Sequence, residues 1–212
     1  MAIAYKKQID DDTEFALWKI EEEAGELYNQ LQLNEQEKAF AEQLSHSKRY
    51  LHWLGTRVLL RKMLNTDEYI DCLVDAHGKP YLVDLPYHIS LSHSFDYAAV
   101  MLSKTRPVGI DIEQIKEKVE RIAHKFMRPE EMNFINEKDK IAQLYVCWCA
   151  KEAVYKCYGQ KEVSFADNIL LEPFNFAEEG KVSGHLIKDA VSLDYQVDYL
   201  QYEDYMIGYV KG

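Results

Sequence analysis

The stretch VGIDIEQI, at residues 108–115, limits the folds open to this chain most strongly, because it predicts a strand with one apolar and one acidic face. Side chains alternate along a strand, so Ile110 and Ile112 point to one side. Asp111 and Glu113 point to the other side, roughly 6.6 Å apart along the chain. Two carboxylates buried side by side repel each other and are costly to ionise without a cation. The acidic face is therefore predicted either to be open to water or to carry a positive charge.

Mg²⁺, with Mn²⁺ as an alternative, is the cation that suits an acidic strand face of this kind. Mg²⁺ takes oxygen ligands at roughly 2.0–2.1 Å, usually a few carboxylates together with waters and phosphate oxygens. A D-x-E strand supplies two such ligands, but the same pattern is common on solvated edge strands. The motif alone therefore leaves both interpretations open.

The segment WCAKEAVYK, at residues 148–156, adds a third carboxylate on a predicted helix. Residues four apart share a helical face, so Trp148, Glu152 and Lys156 form one stripe. An ordinary ion pair between Glu152 and Lys156 explains this spacing, and Lys151 on a neighbouring face is expected to be solvated. The functional alternative is that Glu152 joins the two strand carboxylates at one cation while Lys156 meets a phosphate oxygen.

The charge of the chain is acidic overall but basic in one region. There are 36 acidic and 25 basic residues, and the net charge of −11 argues against a general affinity for nucleic acids or anionic membranes. No acidic residue lies between Glu42 and Asp67. The basic residues of this region are Lys48, Arg49, Arg57, Arg61 and Lys62. The region predicts either a solvated helical face or a place where an anionic ligand binds.

The first half of the chain predicts helices followed by strands. Helices are expected over DTEFALWKIEEEAGELYNQL and over the basic region, because apolar residues recur at helical spacing. From Tyr69 the pattern changes to that of short strands, the first two joined by a turn at residues 77–80. Two more strands are expected in YHISLSHSFDYAAVMLS.

The second half mixes the same two kinds of element. Helices return after Ile115 and end at Gly159, and the tail from Val163 alternates as antiparallel strands. This order of elements predicts an α+β protein with two similar-sized lobes. We place the boundary between residues 1–105 and residues 106–212.

Cysteine usage and hydropathy predict a reduced, cytoplasmic protein. None of the cysteines has C-x-x-C spacing, so packed thiols are expected rather than disulfides or a zinc site. The four cysteines are Cys72, Cys147, Cys149 and Cys157. No segment approaches the roughly 18 uncharged apolar residues of a membrane span, and the start MAIAYKKQIDDDTEF has no apolar run after its lysines. We therefore expect no membrane association.

Four short motifs occur in an order that resembles the 4′-phosphopantetheinyl transferase superfamily. GIDIE is followed about forty residues later by W-x-x-K-E-A-x-x-K, and G-K-P and SHS lie upstream at residues 78–80 and 92–94. KFMRPEE, at residues 125–131, looks like the family's stretch between its two acidic motifs. The two-lobed, surfactin-synthetase-activating kind fits best, over residues 48–158. The resemblance implies a monomeric pseudo-dimer of two similar α/β lobes, each a small antiparallel sheet with helices, and an active site at their interface.

This resemblance implies an enzyme that transfers the 4′-phosphopantetheine arm of coenzyme A to a serine of an apo acyl or peptidyl carrier protein. The products are the holo carrier protein and adenosine 3′,5′-bisphosphate. By position, Mg²⁺ would bind Asp111, Glu113 and Glu152. Lys156 would stabilise the pyrophosphate, and Glu152 would also take the serine proton, directly or through a water.

The resemblance also implies which residues surround coenzyme A. The 3′-phosphate would meet the basic region, the adenine side would meet the G-K-P turn, and the other phosphates would meet the SHS strand and Asp111. The residues carried over are Lys48, Arg49, Arg57, Lys79, Pro80, Ser92, His93 and Asp111. The alignment of the basic region leaves Arg57 and Arg61 as alternatives. Ser90 and Phe95 depart from the family pattern, which usually has asparagine and a small residue there.

Two other interpretations stay open. A non-catalytic module could bind coenzyme A or a nucleotide with Mg²⁺ without turning it over, although the intact Glu152 and Lys156 argue against this. Alternatively, the D-x-E strand, the ion-paired helix and the basic surface share no site at all. The spatial relation of Asp111, Glu113 and Glu152 separates this last interpretation from the others.

Overall fold

The computed structural model describes residues 3–45 and 47–212, so that Met1, Ala2 and His46 lie outside it. In chain order the strands are β1 (Tyr5–Asp10), β2 (Thr13–Lys19), β3 (Cys72–Val74), β4 (Pro80–Leu82), β5 (His88–Ser94), β6 (Tyr97–Ser103), β7 (Val108–Gln114), β8 (Ile169–Leu171), β9 (Glu179–Lys188), β10 (Val191–Tyr202) and β11 (Tyr205–Lys211). The helices are α1 (Ala24–Tyr28), α2 (Glu35–Leu44), α3 (Lys48–Leu64), α4 (Val119–Ile122), α5 (Lys140–Tyr158) and α6 (Phe165–Asn168), with short 3₁₀ helices at Ala123–Lys125 and Glu131–Phe134. Within these two ranges, no helix has the length and hydrophobicity needed to cross a membrane.

Two antiparallel sheets define two lobes. The amino-terminal sheet has the strand order β1-β2-β6-β5, and the carboxy-terminal sheet has the order β7-β11-β10-β9-β8. β3 and β4 form a separate hairpin around the predicted turn at residues 77–80. The α+β class and the two sheet-containing lobes are thus confirmed. The boundary at residues 105 and 106 stays a prediction and falls in the connection between β6 and β7.

Three apolar clusters hold these layers together. α3 packs on the amino-terminal sheet and α5 on the carboxy-terminal sheet, each over its own buried cluster. The third cluster lies between the sheets and contains buried residues of both, with Leu17 and Met101 on one side and Ile110 and Ile207 on the other. The lobes therefore share an apolar interface, against which the predicted apolar face of β7 packs.

The predicted helix over DTEFALWKIEEEAGELYNQL is wrong in its first half. Thr13–Lys19 form β2, and only Ala24–Tyr28 are helical. β2 lies inside its sheet with both faces covered, because Trp18 packs in the cluster under α3 while Phe15 packs in the cluster between the sheets. A strand covered on both faces shows a continuous apolar run, which periodicity cannot distinguish from a buried helix.

The connection between the acidic strand and the long helix is less helical than predicted. It contains only the single turn of α4 and two 3₁₀ helices. Pro129 lies between these elements, and a proline disfavours the helical conformation of the residue before it. The long helix itself is confirmed: α5 ends at Gly159, whose φ of 70° is the left-handed conformation that glycine adopts readily.

α5 lies very close to the strands beneath it. A Cβ atom added at Gly109 would lie 1.9 Å from the carbonyl oxygen of Ala153, and one at Gly208 would lie 2.7 Å from the carbonyl carbon of Cys149. Gly208 pairs with Asp111 across β11 and β7. The two glycines therefore let the backbone of α5 approach the acidic face of β7, which brings the helical motif and the D-x-E motif together.

Replacing Gly109 by alanine tests this close approach. We expect Gly109→Ala to lower the free energy of unfolding by at least about 2 kcal/mol, because overpacking forces backbone to move. The midpoint of thermal unfolding should then fall by more than about 5 °C. Gly25→Ala in α1 is the matched control, since nothing lies within 4 Å of its added Cβ. An unfolding midpoint of the Gly109→Ala protein equal to that of the wild type would contradict the close packing.

Candidate functional site

A cleft of about 490 Å³ opens between the two lobes. Its walls come from α3, the β3–β4 turn and β5 on one side and from the end of α5 on the other. Six of the predicted site residues line it: Arg49, Arg57, Lys79, Pro80, His93 and Lys156. Phe40, Trp53 and Val74 add apolar surface. The cleft therefore combines basic groups from both lobes with an apolar wall.

Two more of the predicted coenzyme A residues, Lys48 and Ser92, lie beside this cleft rather than in its lining. Lys48 lines a neighbouring cavity of about 670 Å³, which His93 also borders. Ser92 is buried, and its hydroxyl donates to Asp111 Oδ1 at 2.7 Å. Ser92 thus contacts the acidic strand, whereas the neighbouring His93 faces the cleft.

Arg57 is held at the cleft by an aromatic ring. Its guanidinium carbon lies 3.9 Å from the centre of the Trp53 ring, and its Nε lies 3.9 Å from the Glu37 carboxylate. Burial lowers the pKa of Arg57, and its buried Nε has no hydrogen-bond partner among the described residues. The alternative, Arg61, donates instead to main-chain carbonyls beyond the end of α3. Arg57 is therefore the one of these two arginines that lines the cleft.

Lys79 of the G-K-P turn joins the two lobes. Its ammonium donates to the carbonyl oxygen of Cys157 at 2.7 Å, where the last carbonyls of α5 carry partial negative charge. Its stem packs against Gly159, where an added Cβ would lie 2.6 Å from Lys79 Cδ. Burial lowers the pKa of Lys79. This lysine therefore lines the cleft and caps the carboxy-terminal end of α5.

His93 is neutral at physiological pH. Its ring stacks on that of His52, with the ring centroids 4.2 Å apart. Burial, followed by the charges of His52 and Lys156, lowers the pKa of His93 to about 4. His93 therefore offers a hydrogen bond rather than a positive charge to an anionic ligand. The sequence did not indicate His52, because a single histidine on a helix carries no signal of its partner.

The two departures from the family pattern lie on either side of this histidine. Ser90 is buried, and its hydroxyl accepts a hydrogen bond from the main-chain N–H of Ile110 at 3.0 Å. Phe95 starts the β5–β6 turn with a φ of 53°, a left-handed conformation that costs little only for glycine. Its exposed ring lies 3.2 Å from the Lys116 ammonium of the other lobe. Glycine would relieve the strain at this turn but would lose that contact.

The acidic strand and the lysine of the helical motif form a buried ion pair. Asp111 is 5% exposed, and its Oδ1 accepts hydrogen bonds from Lys156 Nζ and Ser92 Oγ, both at 2.7 Å. Lys156 also donates to the carbonyl of Ile110 at 3.1 Å. Asp111 Oδ2 is buried and has no hydrogen-bond partner among the described residues. Lys156 thus pairs with Asp111 of the strand. The ordinary helical ion pair would instead have joined Lys156 to Glu152.

Glu113 and Glu152 lie close enough to Asp111 for their charges to interact. Burial raises the pKa of Glu152 to about 7, and the charges of Asp111 and Glu113 add to this rise while Lys156 opposes it. Burial also raises the pKa of Glu113, and the charge of Asp111 adds to that rise. Burial and the charge of Asp111 therefore both oppose ionisation of the two glutamates.

The donor set suits a hard cation that needs ligands besides the protein. Among the described residues, no group of three or more histidine, cysteine, aspartate or glutamate side chains is placed to hold a metal ion. Mg²⁺ is usually bound by one or two carboxylates and completes its shell with waters and phosphates. An unpartnered Asp111 Oδ2 and two carboxylates of raised pKa are what such an ion would satisfy. The assignment of all three carboxylates as ligands stays a prediction.

Lys151 is not solvated, and this part of the sequence interpretation is wrong. The side chain is 0% exposed, and its ammonium pairs with Glu131 at 2.6 Å. It also donates to the carbonyl oxygens of Phe126 and Phe165. Glu131 accepts in addition from the main-chain N–H of Leu171 at 2.8 Å. Lys151 therefore fastens the connection before α5 and the start of α6 to the helix that carries the site, and Glu131 links this network to the end of β8.

The comparisons with known proteins agree with these motifs. Residues 107–210 match the model of the 4′-phosphopantetheinyl transferase superfamily. The resemblance seen in the motifs is thereby confirmed over this part of the chain. The match includes β7, α5, the strands β8 to β10 and most of β11. It continues past residue 158, where the motifs end, and it does not include the G-K-P and SHS motifs upstream.

Curated relatives carry the name of the same activity. The chain is 31% identical over 134 residues to the 4′-phosphopantetheinyl transferase gsp of Aneurinibacillus migulanus, covering 59% of this chain and 55% of that protein. It is 31% identical over 112 residues to the 4′-phosphopantetheinyl transferase Sfp of Bacillus subtilis strain 168, covering 49% and 50%. It is 29% identical over 124 residues to the 4′-phosphopantetheinyl transferase AcpT of Escherichia coli K12, covering 56% and 63%. The chain thus matches between half and two thirds of the length of these relatives.

The raised pKa of Glu152 predicts a pH dependence of stability in the cation-free protein. Its pKa rises from 4.5 to about 7 on folding, so the folded state binds this proton more tightly than the unfolded state. The associated stability is complete below pH 4.5 and is lost as the pH rises through 7. Between about pH 5 and pH 8 the wild type should lose on the order of 1–3 kcal/mol that Glu152→Gln does not lose. Chemical denaturation of both proteins at several pH values, with a chelator present, measures this difference. If the unfolding free energy changed equally with pH in both proteins, the prediction would be contradicted.

Replacing Lys151 by methionine should be far more damaging than the same change at a surface lysine. Lys151→Met leaves Glu131 buried without its partner, which costs about 3–5 kcal/mol of unfolding free energy. Lys140→Met on the same helix is the control, because its ion pairs are exposed and contribute about 1 kcal/mol or less. Thermal and urea unfolding compare the two variants. Equal stability of both variants would show that the buried ion pair does not anchor α5.

Proposed function

We propose that this protein transfers the 4′-phosphopantetheine arm of coenzyme A to a serine hydroxyl of an apo acyl or peptidyl carrier protein. The observation that supports this most is that the basic cleft and the buried Asp111–Lys156 ion pair meet. A cleft with basic groups from both lobes is lined in part by Lys156, and Lys156 is paired with a buried aspartate whose second oxygen has no hydrogen-bond partner in the described part of the chain. Such a site suits a diphosphate ligand together with a divalent cation.

The basic groups of the cleft would bind the phosphates of coenzyme A. Lys156 would contact the pyrophosphate, because its ammonium already lies at the acidic strand. His93 would donate a hydrogen bond from a neutral ring, since its pKa is about 4. Arg49 and Arg57 on α3 would meet the 3′-phosphate, with Lys48 beside them. Lys79 and Pro80 of the turn would lie at the adenine side.

Asp111, Glu113 and Glu152 would hold Mg²⁺, or Mn²⁺ as the alternative. When bound, the cation would neutralise charge on the pyrophosphate and so favour attack on phosphorus. Asp111 would use its unpartnered Oδ2 for this, because Oδ1 is engaged by Lys156 and Ser92. Binding would favour the ionised form of the two glutamates, whose pKa values are raised in its absence.

In the proposed reaction, the serine oxygen forms a bond to the pantetheine-side phosphorus as the bond to the other phosphate breaks. Adenosine 3′,5′-bisphosphate leaves, and the pair of electrons of the broken bond stays on its phosphate oxygen. Glu152 would take the serine proton, directly or through a water, from its position on α5 one turn before Lys156. Lys156 would stabilise the charge that gathers on the leaving phosphate.

The partner would be a small carrier protein, and its surface would meet local basic and apolar groups of this chain rather than its acidic average. We propose a monomer that acts in the cytoplasm, without nucleic acid or membrane partners. Because the match covers between half and two thirds of the relatives, the substrates they act on do not by themselves define the carrier used here.

The proposed function predicts transfer that depends on Asp111 and Lys156. Purified protein with coenzyme A, Mg²⁺ and a panel of apo carrier proteins should add the mass of one phosphopantetheine arm to at least one carrier. Asp111→Ala and Lys156→Ala should each lower the rate by at least about 100-fold, since each removes a group that contacts the pyrophosphate or its cation. Asp84→Ala, at an exposed position, is the control.

The competing binding module gives a different result in the same assay. Calorimetry would then show Mg²⁺-dependent binding of coenzyme A, while mass spectrometry would show no mass gain on any carrier in the panel. Undiminished transfer by Asp111→Ala would instead contradict the assignment of the acidic strand.

A further inference from the structure

Strand β5 presents three buried serines to the edge of β7. Each serine hydroxyl accepts a hydrogen bond from a main-chain N–H of β7 that lies 20 residues further along the chain. The pairs are Ser90 with Ile110 at 3.0 Å, Ser92 with Ile112 at 3.3 Å and Ser94 with Gln114 at 3.2 Å. The constant offset means that β5 and β7 run side by side in the same direction.

This serine ladder connects two strand edges that have no main-chain partner on that side. Within residues 3–45 and 47–212, β7 is paired only with β11, and β5 is paired only with β6. Alternate N–H groups along an edge strand are left unpaired, and a buried N–H without a partner costs free energy. The serine hydroxyls of one lobe therefore satisfy the main chain of the other lobe at the place where the sheets meet.

Two of the three hydroxyls also donate to a carboxylate. Ser92 Oγ donates to Asp111 Oδ1 at 2.7 Å, and Ser94 Oγ donates to Glu113 Oε2 at 2.9 Å. A hydroxyl that accepts from an N–H still has one proton to donate, so both hydrogen bonds form at once. Ser90 lies one step before Ser92 in the ladder, and the corresponding position on β7 is Gly109, which has no side chain to receive its proton.

We infer that Ser94 is a positioning residue for Glu113 and that Ser92 is one for Asp111. Each hydroxyl fixes one oxygen of its carboxylate and leaves the other oxygen for a divalent cation. This inference rests on the proposed function, because it takes these carboxylates as cation ligands. Groups that orient metal ligands commonly change metal affinity by about 10–100-fold when they are removed. The amino-terminal lobe thereby contributes to the affinity of a site whose ligands all lie in the carboxy-terminal lobe.

Ser94 can be tested with a pair of variants of equal shape. Ser94→Thr keeps the hydroxyl and Ser94→Val replaces it by a methyl group, and both side chains suit a strand. Calorimetry with Mn²⁺ alone, without coenzyme A or a carrier, measures the affinity of each protein. We expect Ser94→Val to bind Mn²⁺ at least about 10-fold more weakly than Ser94→Thr.

Ser90 provides the matched control for the hydrogen bond to the main chain. Ser90→Val and Ser94→Val each remove one hydroxyl that accepts from a β7 N–H, so both should lower the unfolding midpoint to a similar extent. Only Ser94→Val also frees a carboxylate oxygen, so only this variant should lose Mn²⁺ affinity. Equal Mn²⁺ affinity of the Ser94→Val and Ser94→Thr proteins would overturn the inference. An equally large loss in Ser90→Val, relative to Ser90→Thr, would overturn it too.

The same measurement separates this inference from the proposed function. If Mn²⁺ binds and the Ser94 pair differs as expected while no carrier gains a phosphopantetheine arm, the transferase proposal fails and the positioning role stands. If the wild type binds no Mn²⁺ at millimolar concentration, the positioning role fails, whatever the transfer assay shows.

Discussion

The position of β7 between two layers is the constraint on which the rest of the structure depends. One face of this strand is apolar and packs against the amino-terminal sheet, while the other face carries Asp111 and Glu113 against α5. Gly109 and Gly208 let the helix approach closely enough for Lys156 to reach the strand. Because β7 is needed for the lobe interface, its carboxylates cannot move away from each other to reduce their repulsion. Burial raises the pKa of both Glu113 and Glu152, and the fixed charge of Asp111 adds to this rise.

A second theme is the separation of charge within an acidic protein. The net charge is −11, yet the cleft is lined by arginine, lysine and histidine side chains from four separate segments. Several of these groups have other contacts as well: Arg57 with Trp53, Lys79 with the end of α5 and His93 with His52. Burial lowers the pKa of each of the three. These contacts hold the side chains in place before any ligand arrives, which reduces the entropy lost on binding.

Periodicity in the sequence was sufficient for several elements and failed for β2. The acidic strand, α5 with its terminal glycine and the tail strands follow the predicted pattern. β2 was mistaken for a helix because both of its faces are buried. Lys151 was expected at the surface because a helical stripe does not show which loop covers it, and that loop brings Glu131. The repeat S-x-S-x-S at residues 90–94 was visible in the sequence, but its partner strand was not.

The serine ladder has a consequence for how each lobe would behave by itself. In the whole chain, the free edge of β7 is covered by hydroxyl groups rather than by another strand. A separated carboxy-terminal lobe would expose this seven-residue edge together with its apolar face, Ile110 and Ile112. Such an edge is a template for pairing with another chain, and therefore a route to aggregation. The amino-terminal lobe thus covers a strand edge through which the carboxy-terminal lobe would otherwise self-associate.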